Sequence, residues 1–263
     1  VFVSPLEGHA QAFPGRPWWH RALIKSVLRN ADANVVVSAD QEEYLRSHFA
    51  VKGLARSPHV IDTETYRPGK GAREKLLATV CWMNLDNAVR KCVPETIRAV
   101  ASLHREFSDY RLVICGEKGS DYPALQRLVS ELDADGYVEF RGVVSKEEKI
   151  DLLQRCALYL QPTRAEGFGV AILEAMSCGA PVVTSPVGAV PEVGGDAVEM
   201  VDGGDPIAIA DAVKTLLTDD DRRAALAAAG RNRAVTEFSY ARRKGDLARI
   251  ITQLTAGPHR RAA

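Results

Sequence analysis

From about residue 76 onward, short apolar runs alternate with stretches of helical periodicity, and nothing else in the chain restricts its fold as tightly. Leu76 to Trp82, Tyr110 to Cys115, Tyr137 to Phe140, Ala157 to Leu160, Pro181 to Thr184 and Ala197 to Val201 read as strands. Helical patterns lie between and after them: Val93 to Phe107, Tyr122 to Leu132, Lys146 to Gln154, a helix from about Gly167 or Phe168 to Ser177, Ile207 to Leu217, Arg222 to Val235 and Tyr240 to Leu254. Strands this short and apolar, each separated by a helix, must be buried on both faces. The prediction is an α/β, doubly wound parallel sheet.

The first seventy residues hold less: strands at Val1 to Ser4, Asn34 to Ser38 and His59 to Ile61, helices at Trp18 to Arg29 and Gln41 to Phe49, and a linker at Tyr66 to Gly71. That is too little for a second complete domain of the same kind, and the chain opens inside a strand as though more sequence precedes it. The expected organisation is a remnant of an N-terminal domain with its linker (1–71), one complete Rossmann-like domain (72–237), and a last helix with a basic tail (238–263) that returns toward the N-terminal part. A chain of 263 residues is long enough for this.

Composition excludes several classes. Lys plus Arg and Asp plus Glu number 34 each, which leaves no bulk field to gather nucleic acid. No apolar run approaches the 18 to 20 or so residues that cross a bilayer, and a cytoplasmic location is expected. Cys81, Cys92, Cys115, Cys156 and Cys178 stand singly, with neither a CxxC pair nor zinc spacing, and are expected to be reduced core thiols.

The stretch Glu166-Gly167-Phe168-Gly169-Val170-Ala171-Ile172-Leu173-Glu174 follows a strand, opens a helix and sets two acids eight residues apart. Amides at a helix start, uncrowded by two glycines, suit a phosphate or diphosphate. At 1.5 Å per residue the two acids lie about 12 Å apart along the axis, roughly the span from sugar to ribose in a nucleotide-sugar. The helix between them is apolar nearly all round, so Glu174 would be a buried carboxylate in need of a donor: ribose hydroxyls, an arginine or backbone amides. The competing reading makes Glu166 a capping acid and Glu174 an ion-pair partner. A dinucleotide fingerprint fits poorly, because Ile172 stands at the third glycine position and the segment comes late in the series.

Glu166 to Glu174, followed by Ala175-Met176-Ser177-Cys178-Gly179-Ala180-Pro181-Val182-Val183, closely resembles the E-x7-E and EAM-x-x-G-x-PVV signature of glycosyltransferase family 4, retaining enzymes of GT-B fold. Further resemblances follow in order over about residues 30 to 240, among them Val35-Val36-Val37-Ser38, Arg90-Lys91, Leu112 to Gly116, Val138 to Gly142 and Phe238-Ser239-Tyr240. The resemblance implies transfer of a sugar, of hexosyl type, from a nucleotide-sugar to an acceptor hydroxyl on a glycan, a lipid carrier or a small molecule. It implies that Glu166 contacts the transferred sugar and Glu174 the ribose, while Gly167, Phe168 and Gly169 line the donor site with backbone amides. Arg90 and Lys91 would neutralise the diphosphate, with cations lowering the barrier as the leaving group gains charge. Gly142 and Val143 would read the base through their backbone. His9, 29 residues before Ser38, stands where the family has a histidine that touches the sugar near the reacting carbon. The expected catalytic set is therefore Glu166, Lys91 and His9. No resident cofactor and no metal are expected, and the expected donor is a UDP- or GDP-sugar.

The chain departs from the family at named places. The glycine and arginine expected after the first strand of the donor domain are replaced by Trp82-Met83-Asn84, and Cys92 replaces the glycine after the lysine. These departures keep a second reading open, a non-catalytic nucleotide-sugar-binding module or a subunit completed by a partner or a second copy; a sugar-nucleotide epimerase is a third. The basic stretch Arg222 to Arg261, with Arg242-Arg243-Lys244, could graze an anionic membrane if the acceptor is a lipid, or form a solvated face.

Overall fold

The computed structural model describes residues 2–3, 15–49, 51 and 53–256. In chain order the elements are β1 (Phe2–Val3), α1 (Trp18–Asn30), β2 (Asn34–Val36), α2 (Ala39–Phe49), β3 (Leu54–Arg56), β4 (Glu74–Val80), α3 (Asn87–Arg90), α4 (Val93–Leu103), β5 (Arg111–Cys115), α5 (Tyr122–Glu131) and β6 (Val138–Gly142). There follow α6 (Lys146–Arg155), β7 (Cys156–Gln161), α7 (Val170–Ser177), β8 (Val182–Thr184), α8 (Val190–Gly194), β9 (Glu199–Met200), α9 (Pro206–Thr218), α10 (Asp220–Glu237) and α11 (Tyr240–Ala256). They fall into two compact units, Val1–Val60 with Glu237–Ala263, and Ile61–Thr236.

In the larger unit six parallel strands lie in the order β6-β5-β4-β7-β8-β9. Counted within this sheet that is 3-2-1-4-5-6, the doubly wound order of nucleotide-binding folds, with its reversal between β4 and β7. All six residues of β7 are buried, as a central strand covered on both faces must be. Leu77, Ile97, Leu112, Ile114, Leu158, Leu160 and Val213 share the core. Local chemistry starts the helices. Ser145 and Glu148 form a reciprocal capping box on α6, Asp205 accepts from the Ile207 amide at the start of α9, and Pro94 and Pro206 sit in first turns where no amide partner is lost.

The segment after Val60 packs with this unit. Asp62 accepts from the Glu64 and Thr65 amides and the Thr65 hydroxyl, closing a turn, and Arg231 of α10 donates to the carbonyls of Thr63, Tyr66 and Ser177. In the smaller unit β1, β2 and β3 form a parallel three-stranded sheet, with Leu28, Val36, Leu45 and Phe49 in its core.

Three local expectations need correction. The strand placed at His59 to Ile61 is Leu54–Arg56, which pairs in parallel with Asn34–Val36. The helix expected from Gly167 or Phe168 starts at Val170, because Gly169 has a left-handed backbone (φ +93°) that turns the chain into the helix instead of continuing it. The short helices α3 and α8 were not anticipated; each holds fewer than two turns, too little for periodicity to register.

Candidate active site

Parallel strands deliver their carboxyl ends to one edge of the sheet, and the reversal of strand order parts the following loops into a crevice. The loop after β4 carries Lys91 and the loop after β7 carries Glu166. Although 75 residues apart in sequence, they meet there: Lys91 Nζ lies 3.4 Å from Glu166 Oε2, and both side chains are about 14% exposed.

The β4 loop is strained. Leu85 (φ +52°), Asp86 (φ +60°) and Cys92 (φ +46°) all have left-handed backbones without being glycine. The neighbouring β5 loop holds it in shape: the Leu85 amide donates to Ser120 Oγ at 2.9 Å, and the Asp121 carboxylate accepts from the amides of Asp86 and Ala88, each at 3.1 Å. Asp121 thus caps α3 from another element. Cys92 holds the backbone conformation that glycine adopts easily, with its side chain fully buried.

Arg90 and Lys91 part company. Arg90 Nη2 donates to Asn87 Oδ1 at 2.6 Å and its Nη1 to the Ala165 carbonyl, while its own carbonyl accepts from the Arg164 amide (2.8 Å) and Thr163 Oγ1 (3.1 Å). Arg90 therefore ties the β4 loop to the β7 loop, and Lys91 is the member of the pair beside Glu166.

Glu166 is held on both oxygens. Oε1 accepts from the Gly167 amide at 3.1 Å, and Oε2 from Gln161 Nε2 at 3.3 Å. Gly188, at φ +53°, presses on the Glu166 carbonyl so closely that a Cβ there would lie 1.9 Å from that oxygen. Gly167 and Phe168 precede α7, Gly169 occupies its N-cap, and no side-chain cap covers the first amides of the helix.

Glu174 is buried on α7, and its partner is a lysine. Lys149 Nζ of α6 lies 2.6 Å from Glu174 Oε1. Lys149 and Lys146 flank the Tyr66 ring, 5.5 and 5.6 Å from its centre. Burial, together with the negative Glu174, pushes the Tyr66 phenol well above its ordinary range, so it stays protonated. Of the donors weighed for this carboxylate an arginine is the named cation; the structure places a lysine there instead, Lys149 of α6, 25 residues away, in the ion-pair arrangement of the competing reading.

Gly142 ends β6 with φ +83°, its carbonyl accepting from the Gly116 amide, and Val143 is 79% exposed. Lys118, after β5, places its Nζ over the Tyr122 ring at 5.0 Å, and its Cε lies 3.8 Å from where a Cβ on Gly142 would stand. His9 lies outside the described residues. Among the described residues no group of three or more His, Cys, Asp and Glu side chains is placed to hold a metal ion, and no helix is long and apolar enough to cross a membrane.

Comparison with known proteins settles the family. The Glycosyl transferases group 1 family matches residues 64–233. This chain belongs to that family. It is 31% identical over 274 residues to the GDP-mannose-dependent alpha-(1-6)-phosphatidylinositol monomannoside mannosyltransferase of Mycolicibacterium smegmatis, covering 95% of this chain and 69% of that protein. It is 33% identical over 264 residues to the D-inositol 3-phosphate glycosyltransferase of Corynebacterium jeikeium, covering 93% and 62%. The chain thus spans about two thirds of the length of these relatives. HepE of Anabaena in complex with UDP superposes with a TM-score of 0.80 at 17% identity, over 91% of this chain and 69% of that one. Sucrose-phosphate synthase of Thermosynechococcus elongatus gives 0.78 at 23%, over 92% and 63%. The fold is of GT-B type, and the family's reaction is glycosyl transfer from a nucleotide-sugar to an acceptor.

Proposed function

We propose that the larger unit is the donor half of a retaining, metal-independent glycosyltransferase acting on a nucleotide-sugar. The observation that carries the reading is the Lys91–Glu166 pair at the strand-order reversal, beside the uncapped start of α7. A nucleoside diphosphate leaving the sugar gains negative charge. Lys91 and the first amides of α7 meet that charge, doing the electrostatic work that a divalent cation does elsewhere. Glu166 fixes the sugar's hydroxyls, Glu174 the ribose, and the backbone at Gly142 and Val143 the base. Retention follows if the acceptor hydroxyl approaches on the face from which the diphosphate departs, so no protein nucleophile is assigned.

The relatives' names make GDP-mannose the first donor to try, with UDP-sugars next. No resident cofactor is part of the reading, and His9 is proposed to touch the sugar. The reading also has the chain working in the cytoplasm and meeting a lipid-linked acceptor at the membrane surface. Within α11, Asp246 pairs with Arg242 and Arg249, which leaves Arg243 and Lys244 as the cations to test there with anionic vesicles.

Calorimetric titration with GDP, UDP and ADP, repeated on Glu174→Ala, tests the donor site. One nucleotide binding in the micromolar range, and at least tenfold more weakly to the variant, is the expected result; no binding by any of them to the folded chain overturns the reading. A specific observation supports the non-catalytic alternative: Trp82-Met83-Asn84 stands where the resemblance leads one to expect a glycine and an arginine, and the Arg90 guanidinium is engaged by Asn87 and Ala165. That alternative predicts donor binding with no hydrolysis or transfer.

A further inference from the structure

Behind Glu166 runs a buried chain of polar groups that the family signature does not include. Tyr159 and Gln161 stand two residues apart on β7 and so project from the same face of the strand. Tyr159 is fully buried and Gln161 is 1% exposed. The Tyr159 hydroxyl lies 2.5 Å from Gln161 Oε1, and Gln161 Nε2 lies 3.3 Å from Glu166 Oε2. The strand between them is fixed on both sides: Tyr159 pairs with Ala78 of β4 and Val182 of β8, Gln161 pairs with Thr184, and Thr184 Oγ1 donates to the Gln161 carbonyl at 2.9 Å.

The direction of each hydrogen bond follows from charge. Burial and the nearby carboxylates Glu174 and Glu166 keep the Tyr159 phenol protonated. Glu166 accepts only, so the face of Gln161 turned toward it must be the amide's N–H. The Gln161 oxygen is then left for Tyr159, whose hydroxyl donates to it. A phenol thereby sets the orientation of an amide, and the amide sets the orientation of a carboxylate.

We propose that Gln161, oriented by Tyr159, is a positioning residue that holds the Glu166 carboxylate in the rotamer that engages the transferred sugar. The inference rests on the reading of Glu166 as the sugar-contacting acid. Oε1 is already claimed by the Gly167 amide and Lys91 is a flexible, rotatable donor, so the planar amide of Gln161 is the rigid constraint on Oε2. Without it Glu166 keeps its charge and its lysine but loses its aim. The loss should fall on recognition of the sugar and not on recognition of the nucleoside diphosphate, which meets Lys91, α7 and Glu174.

The test compares the affinities of GDP with GDP-mannose and of UDP with UDP-glucose, measured calorimetrically on the full chain, on Gln161→Met and on Tyr159→Phe. The expected result is that the gain in affinity contributed by the sugar falls about tenfold in Gln161→Met and by a smaller factor in Tyr159→Phe, as for the loss of a hydrogen bond to a charged group. Nucleoside diphosphate affinity should stay within about twofold of the parent in both variants. A sugar contribution preserved in both variants overturns the inference while leaving the proposed function standing. Equal losses for nucleotide and nucleotide-sugar, accompanied by a lowered melting temperature, also overturn it, since that is what a purely structural role produces. A parent chain that binds a nucleoside diphosphate but gains nothing from the sugar removes the reading of Glu166, and this inference falls with it.

Discussion

At the scale of single residues, the site depends on partners that hold charges and strained conformations in place. Lys149 is 22% and Glu174 11% exposed at the side chain, so Lys149→Met strands a mostly buried carboxylate without its cation. A loss of about 1–3 kcal/mol is expected, read as a lower urea midpoint at unchanged slope. Cys92 tolerates its left-handed backbone because a thiol on an unbranched Cβ is small; Cys92→Val adds a branch where φ is +46° and should cost about 2 kcal/mol or more, seen as a fall in melting temperature. The five thiols titrate high: burial pushes Cys81, Cys92 and Cys115 up to about 11, and Cys156 and Cys178 up to about 12. An unfolded thiol ionises near 8.5, so the folded state holds these protons more tightly. Their stabilising effect is complete below about pH 8.5 and disappears as pH rises through 11 to 12. Native protein at pH 7.5 should resist a disulfide-exchange reagent at all five cysteines and react fully in denaturant, and alkaline unfolding should set in within that window.

At the scale of elements, glycines separate the loops that tolerate change from those that aim the site. Gly188→Ala would drive a methyl group into the Glu166 carbonyl oxygen, whereas a Cβ on Gly245 in α11 meets nothing within 4 Å. Gly188→Ala should therefore weaken nucleotide-sugar binding by tenfold or more in calorimetry (about 1.4 kcal/mol), while Gly245→Ala should raise stability by about 0.5–1 kcal/mol as a helix-interior replacement. What sequence reading captured and missed divides along the same line. The helix α6 was legible because its pattern is local to the segment Lys146 to Gln154, and β7 was legible as an unbroken apolar run. The true start of α7 was hidden, since periodicity does not register the left-handed turn at Gly169. Asp121 capping α3, Lys149 reaching Glu174 and Arg90 tying two loops together were also hidden, because each partner lies on another element and adjacency across a sheet leaves no mark in linear spacing. The apolar look of β7 masked Tyr159 and Gln161 for a related reason: a strand buried on both faces reads as hydrophobic even when two of its side chains form a hydrogen-bonded chain.

At the scale of the whole molecule, the formal charge sums to zero, and surface chemistry instead of bulk field decides how the chain behaves in solution. On α1, Trp19, Leu23 and Val27 recur every four residues and are all exposed, with Trp18 beside them at 80%. A stripe of this kind should bind a hydrophobic dye and promote self-association. Replacing Trp19 and Leu23 with lysine and glutamate is expected to lower dye fluorescence and light scattering without changing nucleotide affinity. Here too the residue types were visible in the sequence, while their exposure was not, because an amphipathic helix and one with an uncovered apolar face share the same periodicity. The order of strands carries a different consequence, for folding. β4 and β7 are neighbours in the sheet but are separated along the chain by β5, β6 and their helices, so Lys91 and Glu166 come together only when that long loop closes. A chain still folding, or one opened at the sheet's centre, has no place for a diphosphate. Nucleotide would accordingly act as a selective brake on unfolding: it favours only the finished sheet, slows the loss of the β4–β7 contact, and protects the amides of those two strands from exchange more than those of α1 or α11.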